Sequence, residues 1–357
     1  MSNPIQKAQE LRDLLSKVLI EIRLAATPRR TLEEVLEKVE QIIIDLRNVN
    51  ENVVPLDLDE GLSDGLQFWK QLPTGRTLAG DPLLDALVRE SETLDALQRS
   101  GVEITSVNKF TDAEMNLAKE IGDNFQSRHW ALQKFKAAVQ HKNYVANAQI
   151  ADLKDCRAFF NSMKQHKVIA TYKVEVSIEN TGEWQELNPS ETNKFRHYAP
   201  IRLPFELVDD QFVGLIGGDW FNAYAFQIIS RHLVNNRFDF ELFTRVQYQA
   251  PRDIIRSDGD FDIIGKIKNR LLFVECKSGK LPGRNSPEVR KIIENTEDLK
   301  AVFNAVKTGI DKFTFLTIYN PFLPENENIP EKLSDDIWAV KPFEIRGKIT
   351  EIFRQGE

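Results

Sequence analysis

The chain contains 357 residues, of which 41% are hydrophobic and 28% charged, and its formal net charge at pH 7 is −7. These fractions are typical of an ordinary globular protein and exclude the disordered and fibrous classes. The two cysteines, Cys156 and Cys276, are too few for a disulfide framework, and no C-x-x-C or H-x-x-x-H spacing indicates a zinc site. No signal pattern opens the chain and no apolar run approaches the roughly 20 residues that span a bilayer, so we expect a cytoplasmic protein without a membrane segment.

Residues 1–165 are predicted to form an α-helical, partly coiled-coil domain. Apolar residues recur at three- and four-residue spacing within the first 46 positions, which favours an antiparallel helix pair, and a third helix is predicted from Pro82 to Arg99. Thr111 and Glu114 have the spacing of a capping box and open a long helical region. We expect this domain to dimerise, which would make the protein a homodimer, or to sense a regulatory partner or ligand.

Residues 166–212 are predicted to form a small β module that links the two larger parts. After Val168, apolar residues occupy every second position, which is the period of a half-buried strand. Thr181 and Gly182 provide a turn, and residues 184–187 are expected to pair back as a β-hairpin.

Residues 213–357 are predicted to form a third domain, in which helices and strands alternate. The sequence Gly-Gly-Asp-Trp-Phe-Asn at 217–222 opens a helix that ends near Asn235. The spacing of apolar residues in this domain predicts the element order αβββαβ, with elements at 217–235, 238–248, 259–265, 271–277, 286–307 and 313–319. Beyond residue 321 we expect one or two short helices without an assigned function.

Charged residues interrupt two neighbouring apolar strands of this third domain. Glu275 and Lys277 project from one side of their strand because strand side chains alternate, and Asp262 lies on the partner strand of the same hairpin. Burying such charges is costly unless they are paired or bind a metal ion. The pattern therefore indicates chemistry rather than packing.

This arrangement resembles the PD-(D/E)XK, or restriction-endonuclease-like, nuclease superfamily. The resemblance covers about residues 215–322 and implies that Asp262, Glu275 and the backbone carbonyl of Cys276 bind Mg²⁺ or Mn²⁺. It also implies that Lys277 positions a water and offsets charge in the transition state. The predicted fold class is α+β and multidomain, with a helical N-terminal half, a small β module and a C-terminal αβββαβ restriction-endonuclease-like core.

The E-x-K triplet alone is weak evidence, since a D/E-x-K triplet arises by chance roughly once or twice in a chain of this length. The triplets at 152–154 and 298–300 also fit, but both fall in stretches predicted to be helical. Only the triplet at 275–277 closes an apolar strand whose hairpin partner carries an acid. The strand context therefore supports the assignment.

Further residues are candidates for accessory roles. The opening Gly-Gly-Asp-Trp-Phe-Asn-Ala-Tyr is most similar to the nuclease domain of CRISPR-associated ancillary nucleases triggered by cyclic oligoadenylates. Those proteins usually carry a glutamate where this chain has Asn222, and the N-terminal half lacks the βαβ pattern of their nucleotide-sensing domain. Asp260 is a second acid on the strand of Asp262. Nearby basic residues are predicted to contact nucleic acid, namely Lys280, Arg284, Arg290 and Lys291.

Two functions from different classes follow. The first is a metal-dependent endonuclease that cuts phosphodiester bonds of DNA, with RNA left open as a substrate, in a defence or repair setting. The second is a catalytically degenerate nuclease fold that binds nucleic acid or a protein partner, and Asn222 is the residue that favours it.

Overall fold

The structure, a computed structural model, describes residues 75–78, 82–178, 181–208, 211–249, 259–281, 286–305, 312–321, 323, 326 and 329–354. All of them belong to one unit that spans residues 63–357. The helix pair predicted within the first 46 residues lies outside the described residues, and so does Arg284. No helix in the described ranges is both long enough and apolar enough to cross a membrane.

Helices are distributed along the whole described chain. They are α1 Pro82–Glu90, α2 Glu92–Arg99, α3 Asp112–Asp123, α4 Phe125–Gln140, α5 Leu153–Gln165, α6 Gln211–Gly214, α7 Trp220–Asn235, α8 Pro287–Ala305 and α9 Ile345–Arg354. A π-helical turn, Leu215–Asp219, leads directly into α7, and short 3₁₀ turns occupy Ile150–Asp152 and Pro189–Lys194. The predicted capping box is confirmed, since Thr111 and Glu114 exchange hydrogen bonds at the start of α3.

Eight of the described strands form one mixed sheet. In chain order these are β1 Gly75–Leu78, β2 Glu103–Lys109, β8 Phe240–Gln249, β9 Gly259–Ile267, β10 Arg270–Lys277, β11 Lys312–Tyr319, β12 Lys332–Ser334 and β13 Ile337–Val340. Their order across the sheet is β1-β2-β8-β9-β10-β11-β13-β12. The β10–β11 and β11–β13 pairs are parallel and the other pairs are antiparallel.

A second sheet contains five strands, β3 Val145–Gln149, β4 Ile169–Tyr172, β5 Glu175–Ser177, β6 Trp184–Glu186 and β7 Pro200–Leu207. Its order is β3-β7-β5-β6, and β4 also pairs with β7. The predicted hairpin is confirmed, because Ser177 pairs with Trp184 and Glu175 with Glu186. Phe135, Phe160 and Phe205 pack as an aromatic group beside this sheet and are buried.

The order αβββαβ is confirmed for the region that carries the charged triplet, with α7, β8, β9, β10, α8 and β11 following one another. The long helix α7 begins where predicted. Ser286 Oγ accepts a hydrogen bond from the Val289 N–H at 3.1 Å and caps α8, whose first residue is Pro287. In the tail, α9 is confirmed, and strands β12 and β13 add to the main sheet.

The prediction that residues 1–165 are helical is wrong over three described segments. Residues 75–78 form β1, residues 103–109 form β2 and residues 145–149 form β3, and both β2 and β3 pair with strands that come later in the chain. Strand pairing with a distant segment overrides local pattern at such short stretches. The main sheet thus takes strands from both sides of the predicted boundaries at residues 165 and 212.

Candidate active site

The site begins where the β9–β10 ladder stops. Backbone pairing runs from Arg270 opposite Ile267 to Val274 opposite Ile263 and does not continue to the next pair, Glu275 and Asp262. The N–H of Cys276 donates instead to Asp262 Oδ2 at 2.7 Å. A carboxylate therefore takes the place of a backbone acceptor, and the hairpin opens at the residues predicted to be functional.

Helix α7 supplies the second partner of Asp262. Asn222 lies in its first turn and is buried, and its Nδ2 donates to Asp262 Oδ1 at 2.7 Å. Both carboxylate oxygens of Asp262 thus accept a hydrogen bond, one from β10 and one from α7. The structure therefore places Asn222, predicted as an accessory residue, in direct contact with the central acid.

The ionisable side chains of this group change one another's pKa. Burial raises the pKa of Asp262 well above its usual range, and the neighbouring Glu275 carboxylate raises it further, while the Cys276 N–H and Lys277 act in the opposite direction. Burial alone would lower the pKa of Lys277, but Glu275 and Asp262 outweigh it and raise the value. Lys277 Nζ forms an ion pair with Glu275 Oε1, so its ammonium form is held in place.

A cleft of about 490 Å³ opens over these groups, and we call it the acidic cleft. It brings together most of the residues that the sequence indicates, namely Asn222, Asp260, Asp262, Glu275, Cys276, Lys277 and Lys291. Glu288 and Asn295, on α8, line it as well and were not predicted. The volume falls within the range of small-molecule and substrate sites.

The basic residues predicted to contact nucleic acid do not all lie at the acidic cleft. Lys291 lines the acidic cleft, whereas Lys280 and Arg290 are exposed and do not line it. The cap formed by Ser286 places the first turn of α8 beside the cleft, where Lys291 follows Glu288 by three residues. Of the four predicted cations, Lys291 is therefore the one that the described structure places in the cleft wall.

Cys276 contributes through its backbone. The residue is buried, and burial raises the pKa of its thiol well above its usual range, with the Asp262 and Glu275 charges adding to the effect. The thiol is consequently protonated and poorly nucleophilic. A role for its carbonyl oxygen as a metal ligand stays a prediction.

Arg245 is a site residue that the sequence pattern did not single out. Thr244 pairs with Ile263 and Val246 with Phe261, so Arg245 lies opposite Asp262 without a ladder pair of its own. Its φ is 48°, a left-handed conformation that costs a non-glycine residue on the order of 1–3 kcal/mol.

The Arg245 side chain holds this conformation in place. It donates to Asp219 Oδ2 at 2.5 Å and lies 3.7 Å from a Glu114 carboxylate oxygen and 4.1 Å from the centre of the Phe110 ring. Asp219 precedes α7 and lines the acidic cleft. Arg245 thus ties β8 to the start of the helix that carries Asn222. A lone arginine among alternating apolar residues of a strand is the signal that could have revealed it.

The donor set fits a hard divalent cation. Asp262 and Glu275 offer carboxylate oxygens, and when both are ionised they leave, with the Lys277 ammonium, one excess negative charge. Within the described residues, no three His, Cys, Asp or Glu side chains are grouped so that they could hold a metal ion alone. Mg²⁺ is commonly held by one or two carboxylates plus waters and substrate phosphates, and Mn²⁺ also prefers oxygen ligands. Asp262 and Glu275 could therefore hold such an ion together with solvent and substrate.

No family model and no curated protein matches the chain. Among solved structures, protein VC1899 from Vibrio cholerae is similar with a TM-score of 0.45 and 13% identity, over 73% of this chain and 60% of that one. Can2 from Sulfobacillus thermosulfidooxidans, solved in complex with cyclic tetra-adenylate, gives 0.43 and 14%, over 72% and 59%. This chain spans about three fifths of the length of each, and likeness at these values carries no argument about function.

Proposed function

We propose that the protein is a divalent-metal-dependent nuclease that hydrolyses phosphodiester bonds of DNA. One observation supports this proposal most directly: Asp262, Glu275 and Lys277 converge in one cleft at the point where the β9–β10 ladder opens. A partly buried pair of ionised carboxylates with a single ammonium has an excess of negative charge that a cation would relieve. RNA is a second substrate of the same chemistry.

Each residue has a distinct role in this proposal. Asp262, Glu275 and the carbonyl of Cys276 hold Mg²⁺ or Mn²⁺, which supplies Lewis-acid polarisation of the phosphoryl group when bound. Lys277, oriented by its ion pair with Glu275, faces the phosphoryl oxygens and offsets the negative charge that develops on them. The raised pKa of its ammonium keeps it charged at neutral pH.

Residues around this group position it. Asn222 fixes one oxygen of Asp262 and Cys276 N–H fixes the other, so the carboxylate cannot rotate away from Glu275. Lys291 on the cleft wall attracts the phosphate backbone, and Asp260 is an outer acid on the same strand. Lys280, Arg284 and Arg290 are proposed to contact flanking phosphates outside the cleft.

Cleavage of defined nucleic acids tests the proposal. Supercoiled plasmid, single-stranded DNA and single-stranded RNA are incubated with Mg²⁺, with Mn²⁺ and with EDTA. We expect cleavage that EDTA abolishes, and Lys277→Ala is expected to lower the rate by about 10²–10³-fold, the usual effect of removing one charge-stabilising donor.

The chain provides a matched control for this experiment. Asp298 and Lys300 form a D-x-K triplet on α8, outside the acidic cleft, with the same spacing as Glu275 and Lys277. Asp298→Ala should therefore cut as fast as the wild type, whereas Asp262→Ala should not. Equal cleavage rates for Asp262→Ala and Asp298→Ala, with both variants folded by circular dichroism, would contradict the assignment of the site.

A degenerate nuclease fold that only binds nucleic acid is the second candidate. It is favoured by the two hydrogen bonds that already occupy both oxygens of Asp262, one of them from Asn222. This candidate predicts no cleavage of any substrate with either metal, together with fluorescence-anisotropy binding of labelled DNA that Lys291→Ala weakens. Turnover that depends on Lys277 excludes it.

The biological setting is a proposal that depends on the sequence resemblance alone. We propose a cytoplasmic homodimer that acts in defence or repair and whose first 165 residues contain the dimer contact or a regulatory site. Sedimentation of the full chain tests the dimer: a monomer at micromolar concentration would contradict it.

A further inference from the structure

A second cavity, of about 350 Å³, lies on the other side of the residues that begin α7. Six elements or connections form its walls: the end of α3, the start of α4, the helix α7, the segment after β11, the residues that lead into α9 and the start of α9 itself. We call it the arginine cavity because two guanidinium groups, Arg231 on α7 and Arg346 on α9, line it. None of its residues belongs to the catalytic group proposed above.

Positive charge in this cavity is uncompensated. In the described part of the chain, neither Arg231 nor Arg346 has a carboxylate within ion-pair distance, although Lys119 in the same wall pairs with Asp123 at 2.7 Å. Both arginines act on the phenol of Tyr224. Burial and Asp123 raise the pKa of this phenol to about 12, and the two guanidinium charges oppose the rise. The two arginines therefore line a common space, and the Asp123 carboxylate in the same wall pairs with Lys119 rather than with either of them.

Aromatic side chains lie beside these charges. Trp220 and Phe221 of α7 are buried in the cavity wall, Tyr224 is partly exposed, and Phe343 at the rim is 67% exposed, an unusual state for a large apolar side chain. Pro321 and Pro342 form rigid wall positions. Tyr224 Oη donates to Asp123 Oδ1 at 3.2 Å, so the phenol ring is fixed in its place. A flat ring inserted beside Phe343 and Tyr224 would cover this surface.

We infer that the arginine cavity binds a small molecule that carries a phosphate group on a flat ring, the chemistry of a nucleoside monophosphate. Two arginines match the roughly −1.5 to −2 charge of a phosphate monoester and can bind its oxygens in a bidentate manner. Aromatic faces match the ring. The volume is at the small end of ligand sites, which fits one ring and one phosphate rather than a longer chain.

Helix α7 connects this cavity to the acidic cleft. Trp220 and Phe221 face the arginine cavity, while the next residue, Asn222, donates to Asp262 in the cleft. A ligand that shifts the first turn of α7 would alter the Asn222–Asp262 contact. The binding itself does not depend on the proposed nuclease activity.

Titration calorimetry with 5′-AMP, adenosine and inorganic phosphate tests the inference. We expect 5′-AMP to bind at least 10-fold more tightly than either adenosine or phosphate. Arg231→Ala and Arg346→Ala are each expected to weaken binding by about 10- to 100-fold, as for loss of a charge-assisted hydrogen bond. Arg99→Ala is the matched control, since Arg99 pairs with Asp95 on α2 and lines neither cavity.

A cleft variant separates this site from the proposed catalytic one. Lys277→Ala should leave 5′-AMP binding unchanged, and this holds whether or not the protein cuts nucleic acid. Loss of binding in Lys277→Ala would place the ligand in the acidic cleft and overturn the inference. So would equal affinity for 5′-AMP in the wild type and the Arg231→Ala/Arg346→Ala double variant, or no heat of binding at millimolar 5′-AMP.

Discussion

Replacing Asp262 by asparagine is expected to stabilise the metal-free protein while it abolishes cleavage. The substitution removes one of two neighbouring carboxylates from a partly buried place whose surroundings disfavour its charge. The new amide can still accept from the Cys276 N–H, and Asn222 can turn its own amide to accept from the new NH₂ group. The shape of the site is therefore retained and only the charge is lost.

The sign and size of this stability difference between the variant and the wild type follow from proton linkage. The pKa of Asp262 is raised in the folded state, so between about pH 3.9 and that raised value the folded protein holds a proton that the unfolded chain has lost. The stability of the wild type then falls by at most about 1.4 kcal/mol per pH unit as the pH rises through this interval. The variant has no such proton, so its advantage is absent below the interval and complete above it.

Thermal unfolding in EDTA from pH 4 to pH 8 measures this advantage. At roughly 2 °C per kcal/mol for a chain of this size, the Tm difference should widen by up to about 3 °C per pH unit within the interval. Asp298→Asn, the same substitution on α8, should show no comparable trend. A Tm difference that stays constant with pH, or a wild type that is the more stable protein at pH 8, would refute the reasoning about burial and about Glu275.

Three further outcomes are expected. Saturating Mg²⁺ should raise the Tm of the wild type, by an amount equivalent to about 2.7 kcal/mol at 100 times Kd. The Tm of Asp262→Asn should stay nearly unchanged. An equal rise in both proteins would contradict the metal assignment. Arg245→Gly should be more stable than Arg245→Ala by about 1 kcal/mol in urea unfolding. Both variants lose the Asp219 contact, but only glycine adopts the left-handed φ without strain. The reverse order of stability would show that no strain is stored at this position. Gly122→Ala should cost about 1–3 kcal/mol, since the added Cβ would lie 2.4 Å from the Tyr224 ring, and unchanged stability would mean that the ring moves freely.

Much of the site could be predicted because its signals are local. Strand alternation placed Glu275 and Lys277 on one side of β10, and the hairpin turn brought β9 beside it, so the approach of Asp262 needed no long-range information. Ser286 and Pro287 gave the start of α8 by the same kind of local rule.

Other features depend on contacts between distant segments and left no local pattern. The left-handed φ of Arg245 is imposed by its contacts with Asp219 and Glu114, which lie on other elements. Strand β2 is seven residues long and is flanked by helices, so its pattern is too short to decide between a helix turn and a strand. The arginine cavity combines residues of four helices and two connections, and no single stretch of sequence indicates it.

The pairing of β2 with β8 determines when this protein can complete its fold on the ribosome. Ser106 Oγ donates to Gln247 Oε1 across a separation of 141 residues, and the two strands pair from Glu103 opposite Gln249 to Ser106 opposite Gln247. A nascent chain therefore presents β2 with an open edge until residue 249 has left the exit tunnel, and open edges recruit other chains. Fragments that end near residue 165 keep that edge permanently, so the early part of the chain is best produced together with β8.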